Sequence, residues 1–410
     1  MSKKNLFLII LISIFLIGIL VFFYFFNNIN KISIDLSKNE SDFFGNTSAN
    51  KTFATTSTQT TENDQTSDII KNRAKLLQIY KNPTSGSIFL INKDKQNILR
   101  FVDRAIGNVY EYAPENQNGE VQRITNTTIP KIQETVWSNF GDNLILRYLD
   151  ENTDNIISFS AKIKNISTSS ADSLREITGT FLSPNLKQLI INPKGDKIFG
   201  LIDKSDKSGT YGFTTNLDGS GKKIIFISPI SYWNISWPKE NIITFTTKPN
   251  YKDIGLLYFF NTQTNSMDRI LGNIIGLSTL TNKDTSLTAY SYSINNSFLL
   301  DIYDVKNKIS INWQIPTLAE KCIWGNNTKI LYCAIPQTII ADKYPDVWYQ
   351  GLVSFKDNIW KMNIEYGSME KISQIDSDID IDAFNLKISL DDKYLAFSNK
   401  NDLSLWLLEL

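Results

Sequence analysis

The chain has 410 residues, with 42 basic against 42 acidic side chains, 12% aromatics, two Cys and no His. Balanced charge, and no Lys/Arg run interleaved with aromatics, leave no nucleic-acid footprint in the sequence. The absence of His removes every Ser-His-Asp or Cys-His site and, with two Cys, any ordinary structural zinc site; carboxylate chemistry of the glycosidase kind and a Lys or Tyr base stay open.

In chain order, Leu6 to Phe26 (LFLIILISIFLIGILVFFYFF) is an uncharged apolar run that spans about 30 Å as one helix, enough to cross a hydrocarbon core. Lys3 and Lys4 precede it, so the positive-inside bias predicts a single-pass protein of the cell membrane, with a cytoplasmic N-terminus and the rest extracytoplasmic. A cleaved signal peptide is the competing reading. The apolar run exceeds a usual h-region, however, and no small-x-small cleavage site follows Phe26. Residues 28–72, rich in Ser, Thr and Asn (NTSANKTFATTSTQTTENDQTSD), lack the apolar surface to offset ordering entropy and predict a disordered stalk. The expected division is residues 1–27 as cytoplasmic N-terminus and anchor, 28–72 as stalk, and 73–410 as folded head.

From Ser85 onward one pattern recurs: a short apolar strand, a polar turn, a β-rich strand, a variable loop, and a strand with a central aromatic. It is seen in WSNFGDNLILRYLD with Gly141-Asp142 in the turn, in INPKGDKIFGLID with its turn at Pro193 to Asp196, and in WPKENIITFTT. LTNKDTSLTAYSYS, IWGNNTKILYCAIP and the closing KISLDDKYLAFSNKNDLSLWLLEL continue it. A spacing of about 40 to 50 residues fits four-stranded blades, so the expected fold is all-β, a seven-bladed β-propeller, with six or eight blades, or a β-sandwich pair, as alternatives. The last unit lacks an outer strand. Lys75 to Tyr80 (KLLQIY) is placed to supply one and close the ring.

The strings INPKGDKIFGL and ISLDDKYLAFSN resemble the SPDGKYLAF signature of TolB-type and WD-repeat-like propellers, although Ser-Pro-Asp-Gly itself is nowhere intact. Anchor, stalk and repeat together resemble membrane-anchored propeller proteins of bacteria. That resemblance implies a fold rather than a function, since propellers host scaffolds, lectins and enzymes alike.

Four sets of residues are candidates for more than framework. Cys322 and Cys333 flank WGNNTKILY and are expected to face each other across a hairpin, forming a disulfide in an extracytoplasmic head. The insertion Ile335 to Phe355 concentrates Tyr344, Asp346, Trp348 and Tyr349, which make either a recognition loop across one mouth or an aromatic plug folded into it. Asp376, Asp378, Asp380 and Asp382 alternate, which on a strand puts four carboxylates on one face, a weak calcium candidate beside the alternative of a solvated acidic edge. Trp137, Trp237, Trp324 and Trp406 recur at related positions and read as inter-blade packing. No catalytic residue is assigned, and neither a cofactor nor a resident metal is expected.

The expected function is a membrane-anchored extracytoplasmic propeller that acts as a non-catalytic interaction module for an envelope protein. The alternative is an envelope enzyme or lectin acting on glycan through carboxylates at the channel.

Overall fold

The computed structural model describes residues 76–116, 119–150, 153, 155–164, 174–373 and 379–410. The apolar run Leu6 to Phe26, the stalk, Asp376 and Asp378 lie outside the described residues. Among the described residues, no helix is long and apolar enough to cross a membrane.

Among them, 28 strands form seven antiparallel four-stranded sheets. β1 (Leu76–Tyr80) comes first. Blade one is β2 (Thr84–Ile91), β3 (Asn97–Asp103), β4 (Val109–Tyr112) and β5 (Gln122–Arg123); blade two is β6 (Ile132–Trp137), β7 (Asn143–Leu149), β8 (Ile156–Ile163) and β9 (Ile177–Phe181). Blade three is β10 (Gln188–Ile191), β11 (Lys197–Asp203), β12 (Thr210–Asn216) and β13 (Lys223–Ser228); blade four is β14 (Trp233–Lys239), β15 (Ile242–Thr247), β16 (Ile254–Asn261) and β17 (Met267–Ile275). Blade five is β18 (Ser278–Thr281), β19 (Leu287–Ile294), β20 (Ser297–Asp304) and β21 (Ile309–Ile315); blade six is β22 (Cys322–Trp324), β23 (Ile330–Pro336), β24 (Asp357–Asn363) and β25 (Ser368–Ser373). Blade seven is β26 (Ala383–Ile388), β27 (Tyr394–Asn399) and β28 (Leu405–Glu409), with β1 paired outside β28 as its fourth strand. The fold is therefore a seven-bladed propeller, and the chain closes its own ring.

The second strand of each blade is sandwiched between two neighbouring blades, and its side chains alternate between them. Along β23, Leu331, Cys333 and Ile335 enter the core shared with blade five, while Ile330, Tyr332 and Ala334 enter the core shared with blade seven. In β27, Leu395 and Phe397 face blade six, whereas Tyr394 and Ala396 face blade one. Burial on both faces is why these segments read as near-continuous apolar runs such as ILYCAIP and YLAFSN.

The turn after the first strand repeats in atomic detail. Asn192 Oδ1 accepts the backbone N–H groups of Asp196 (3.0 Å) and Lys197 (2.9 Å), and Ser389 Oγ accepts those of Lys393 and Tyr394 (both 3.0 Å). Asn92 and Asn282 serve the same role in blades one and five. The left-handed residue of the turn is Gly195 (φ 74°) in blade three and Asp392 (φ 57°) in blade seven. This geometry is what the SPDGKYLAF-like strings encode: an oxygen-bearing side chain to open the turn, and Lys95, Gly195, Thr285 or Asp392 at its left-handed position.

Trp137, Trp237 and Trp324 stand late in the innermost strands of blades two, four and six, whereas Trp406 lies on the third strand of blade seven. The four do not share one strand position, contrary to expectation. Each nonetheless packs into a core between two blades.

Candidate functional site

Residues 337–356 join β23 to β24, on the propeller face that also carries the links between successive blades. Helix α1 (Asp346–Tyr349) forms its centre, and Gly351, at φ 72°, turns the chain out of it. Tyr344, Val347 and Trp348 are buried with Phe298, Leu318 and Phe355 in a small core of their own. Asp346 accepts from the Tyr251 N–H at 2.8 Å and from Asn250 Nδ2 at 3.1 Å, which fastens the insertion to blade four.

Beneath the insertion lies a buried charged cluster. The side chains of Lys321, Asp357 and Asp382 are 0% exposed. Lys321 Nζ sits 2.8 Å from Asp357 Oδ2, contacts Asp382 Oδ1, and donates to the Ala383 carbonyl at 3.1 Å. Asp382 Oδ2 accepts from Trp348 Nε1 (2.8 Å), the Phe355 N–H (3.1 Å) and Ser354 Oγ (3.3 Å). Burial pushes the Asp357 carboxyl up to about 6; Lys321 opposes the rise and the Asp382 carboxylate adds to it. Two carboxylates on one ammonium leave a net negative charge away from water, and a proton on Asp357 relieves it.

On the same face, three adjoining cavities of about 400, 250 and 450 Å³ run from the insertion to the mouth of the channel. Tyr232 lines the first two and is flanked by two cations: Lys187 Nζ lies 3.9 Å and Lys248 Nζ 5.5 Å from its ring centroid. The third cavity holds Glu134, ion-paired with Arg147, and Glu320, which accepts from the Tyr349 hydroxyl. Burial and the Glu320 carboxylate raise the Tyr349 phenol well above its ordinary pKa, which keeps it a donor. Glu134, Arg147, Gln188 and Glu320 line this third cavity; among the described residues, Arg147 Nε, Gln188 Oε1 and Glu320 Oε2 are buried from solvent with no hydrogen-bond partner.

The insertion residues singled out from sequence divide. Tyr344 and Trp348 are buried beneath the insertion, whereas Asp346 and Tyr349 border the first cavity. Cys322 and Cys333 are directly opposite on β22 and β23 and are joined in a disulfide. Of the acidic run, Asp376 and Asp378 lie outside the described residues, and Asp380 and Asp382 stand just before β26, which begins at Ala383. Asp380 is exposed and pairs with Lys356 at 3.2 Å, while Asp382 turns inward with both oxygens engaged. The shared carboxylate face proposed for calcium thus does not form between these two. Among the described residues, no group of three or more metal-ligating side chains comes together.

Sequence reasoning missed Lys321, Asp357 and Tyr232. Lys321 carries a faint signal, a lysine directly before an apolar strand in TLAEKCIW, but its partners lie 36 and 61 positions away.

No protein-family profile and no curated protein matches this chain. Solved propellers do match. The β-propeller domain of Cps50 (Swd1) from Myceliophteria thermophila superposes with a TM-score of 0.50 at 8% identity, over 82% of this chain and 100% of that one. The β-propeller domain of the Trilobed protease from Pyrococcus furiosus gives 0.50 at 10% identity over 80% and 95%; its ring has an open velcro topology, whereas here β1 seals the last blade. An oligogalacturonate lyase in complex with manganese gives 0.49 at 9% identity over 82% and 98%. At such identities the likeness is one of fold, and this chain shares the β-propeller fold.

Proposed function

We propose that this chain is a membrane-tethered, extracytoplasmic propeller of the cell envelope that binds an envelope protein, without catalysis, at the face bearing the insertion. Leu6 to Phe26 and the preceding Lys3 and Lys4 support the tether, and residues 28–72 the stalk. The observation that carries the binding reading is exposed apolar and aromatic surface on this face: Tyr232 (59% exposed) and Ile254 (58%) line the first cavity, and Leu352 (70%) and Ile340 (82%) stand on the insertion. Exposed apolar and aromatic side chains set beside polar cavities are what a protein contact covers. Tyr232→Ala combined with Leu352→Ala in the full-length chain is expected to abolish recovery of a specific partner from detergent-solubilised membranes, with the unfolding midpoint unchanged. An unaltered set of partners would count against this face.

A glycan-directed reading is supported by one feature, the two carboxylates Glu134 and Glu320 in a single cavity of about 450 Å³. Glu134→Gln and Glu320→Gln separate the two readings: loss of glycan binding or cleavage supports the glycan reading, and loss of neither leaves protein binding.

A further inference from the structure

We propose that Lys321 and Asp382 join covalently: Lys321 Nζ is acylated by Asp382 Cγ to give an intramolecular amide, with Asp357 as the proton carrier. Three features of the cluster point that way. The amine and the carboxyl are in contact and fully buried, held by elements entering two different blades, so the bimolecular cost of the reaction is met by folding. Asp382 Oδ2 is gripped by Trp348 Nε1, the Phe355 N–H and Ser354 Oγ, three donors placed to hold the oxyanion that forms when nitrogen adds to Cγ. Asp357 lies 2.8 Å from Nζ on the other side, is the carboxyl that burial inclines to hold a proton, and has one oxygen, Oδ1, buried without a protein partner.

The step balances within the cluster. The Lys321 ammonium passes one proton to the Asp382 Oδ1 it contacts, and the neutral amine attacks Cγ of the now neutral carboxyl, forming the C–N bond. Nitrogen then gives its second proton to Asp357, which returns it to Oδ1; the Cγ–Oδ1 bond breaks, and Oδ1 leaves with both protons as one water. Asp357 ends as it began. The reaction neutralises Lys321 and Asp382 together, and it needs no oxidant or co-reactant. The resulting bridge would span 61 positions and enclose blade six, with the Cys322–Cys333 disulfide nested inside it.

Intact-mass spectrometry of the denatured, full-length chain tests this directly. The expected mass is that of the sequence less two hydrogens for the disulfide and less one water, with the missing water mapped to a branched peptide containing Lys321 and Asp382. Lys321→Met and Asp357→Asn, each checked for folding by circular dichroism, should regain the full mass of one water. A folded wild-type chain that retains that water, or a water loss mapped to any other residue pair, overturns the proposal.

Discussion

Trp348 is 4% exposed, and its indole N–H caps the Asp382 carboxylate over Lys321. Trp348→Ala therefore removes packing and leaves a buried acceptor short of a donor. It should destabilise the head by about 3–5 kcal/mol, read as a lowered urea midpoint. Asp357 supplies a pH signature. Its carboxyl holds a proton up to about 6 in the folded head against an ordinary 3.8, so its stabilising contribution is complete below 3.8 and is lost as pH rises through about 6. The wild type should lose stability across that window in pH-dependent unfolding. Asp391 has the opposite sign: partial burial pushes it up, but hydrogen bonds from Ser389, Asn97 and Lys393 outweigh this and hold it at about 2. Its contribution is present above 3.8 and is lost as pH falls through about 2. None of this cluster chemistry was legible locally, because Lys321, Trp348, Asp357 and Asp382 meet only when blades six and seven pack.

At the scale of elements, the hairpin β22–β23 was legible because residue type and spacing suffice: an Asn-Asn turn and two Cys 11 positions apart. Replacing both with Ser should cost about 3 kcal/mol on the chain-entropy account, measured by denaturant unfolding, and no free thiol should be alkylated in the unreduced, unfolded wild type. The first-strand turns were legible for a similar reason, since Asn92, Asn192, Asn282 and Ser389 each bond within a few residues. Of the acidic run only the end could be compared: Asp380 is exposed and paired with Lys356, while Asp382 turns into the core through contacts with Lys321 and Trp348 that no local pattern shows. The insertion was half legible: its aromatic content marked it, but the direction in which Tyr344 and Trp348 point depends on Phe298 and Lys321, remote in sequence.

For the whole molecule, closure rests on one joint. β1 pairs with β28 in the register Leu76↔Leu408, Leu77↔Leu407 and Gln78↔Trp406. Alternate residues of β28 fill two inter-blade cores, with Trp406 and Leu408 toward blade six and Leu405 and Leu407 toward blade one. Deleting residues 403–410 should open the ring, seen as loss of a cooperative transition and aggregation; a truncated chain that stays folded and monomeric would contradict closure. Blade number and closure were readable because the repeat is a local unit and the last copy visibly lacks a strand. The face proposed to bind was not, since Lys187, Tyr232 and Glu320 converge from three blades. The most direct measurement is therefore site-specific photocrosslinking in cells, with the probe at Tyr232 or Tyr349 on the insertion face and at Tyr366, 78% exposed in the turn between β24 and β25. A discrete crosslinked envelope protein at Tyr232 and Tyr349, absent at Tyr366, is the predicted result; crosslinking at Tyr366 alone, or at none of the three, would contradict it.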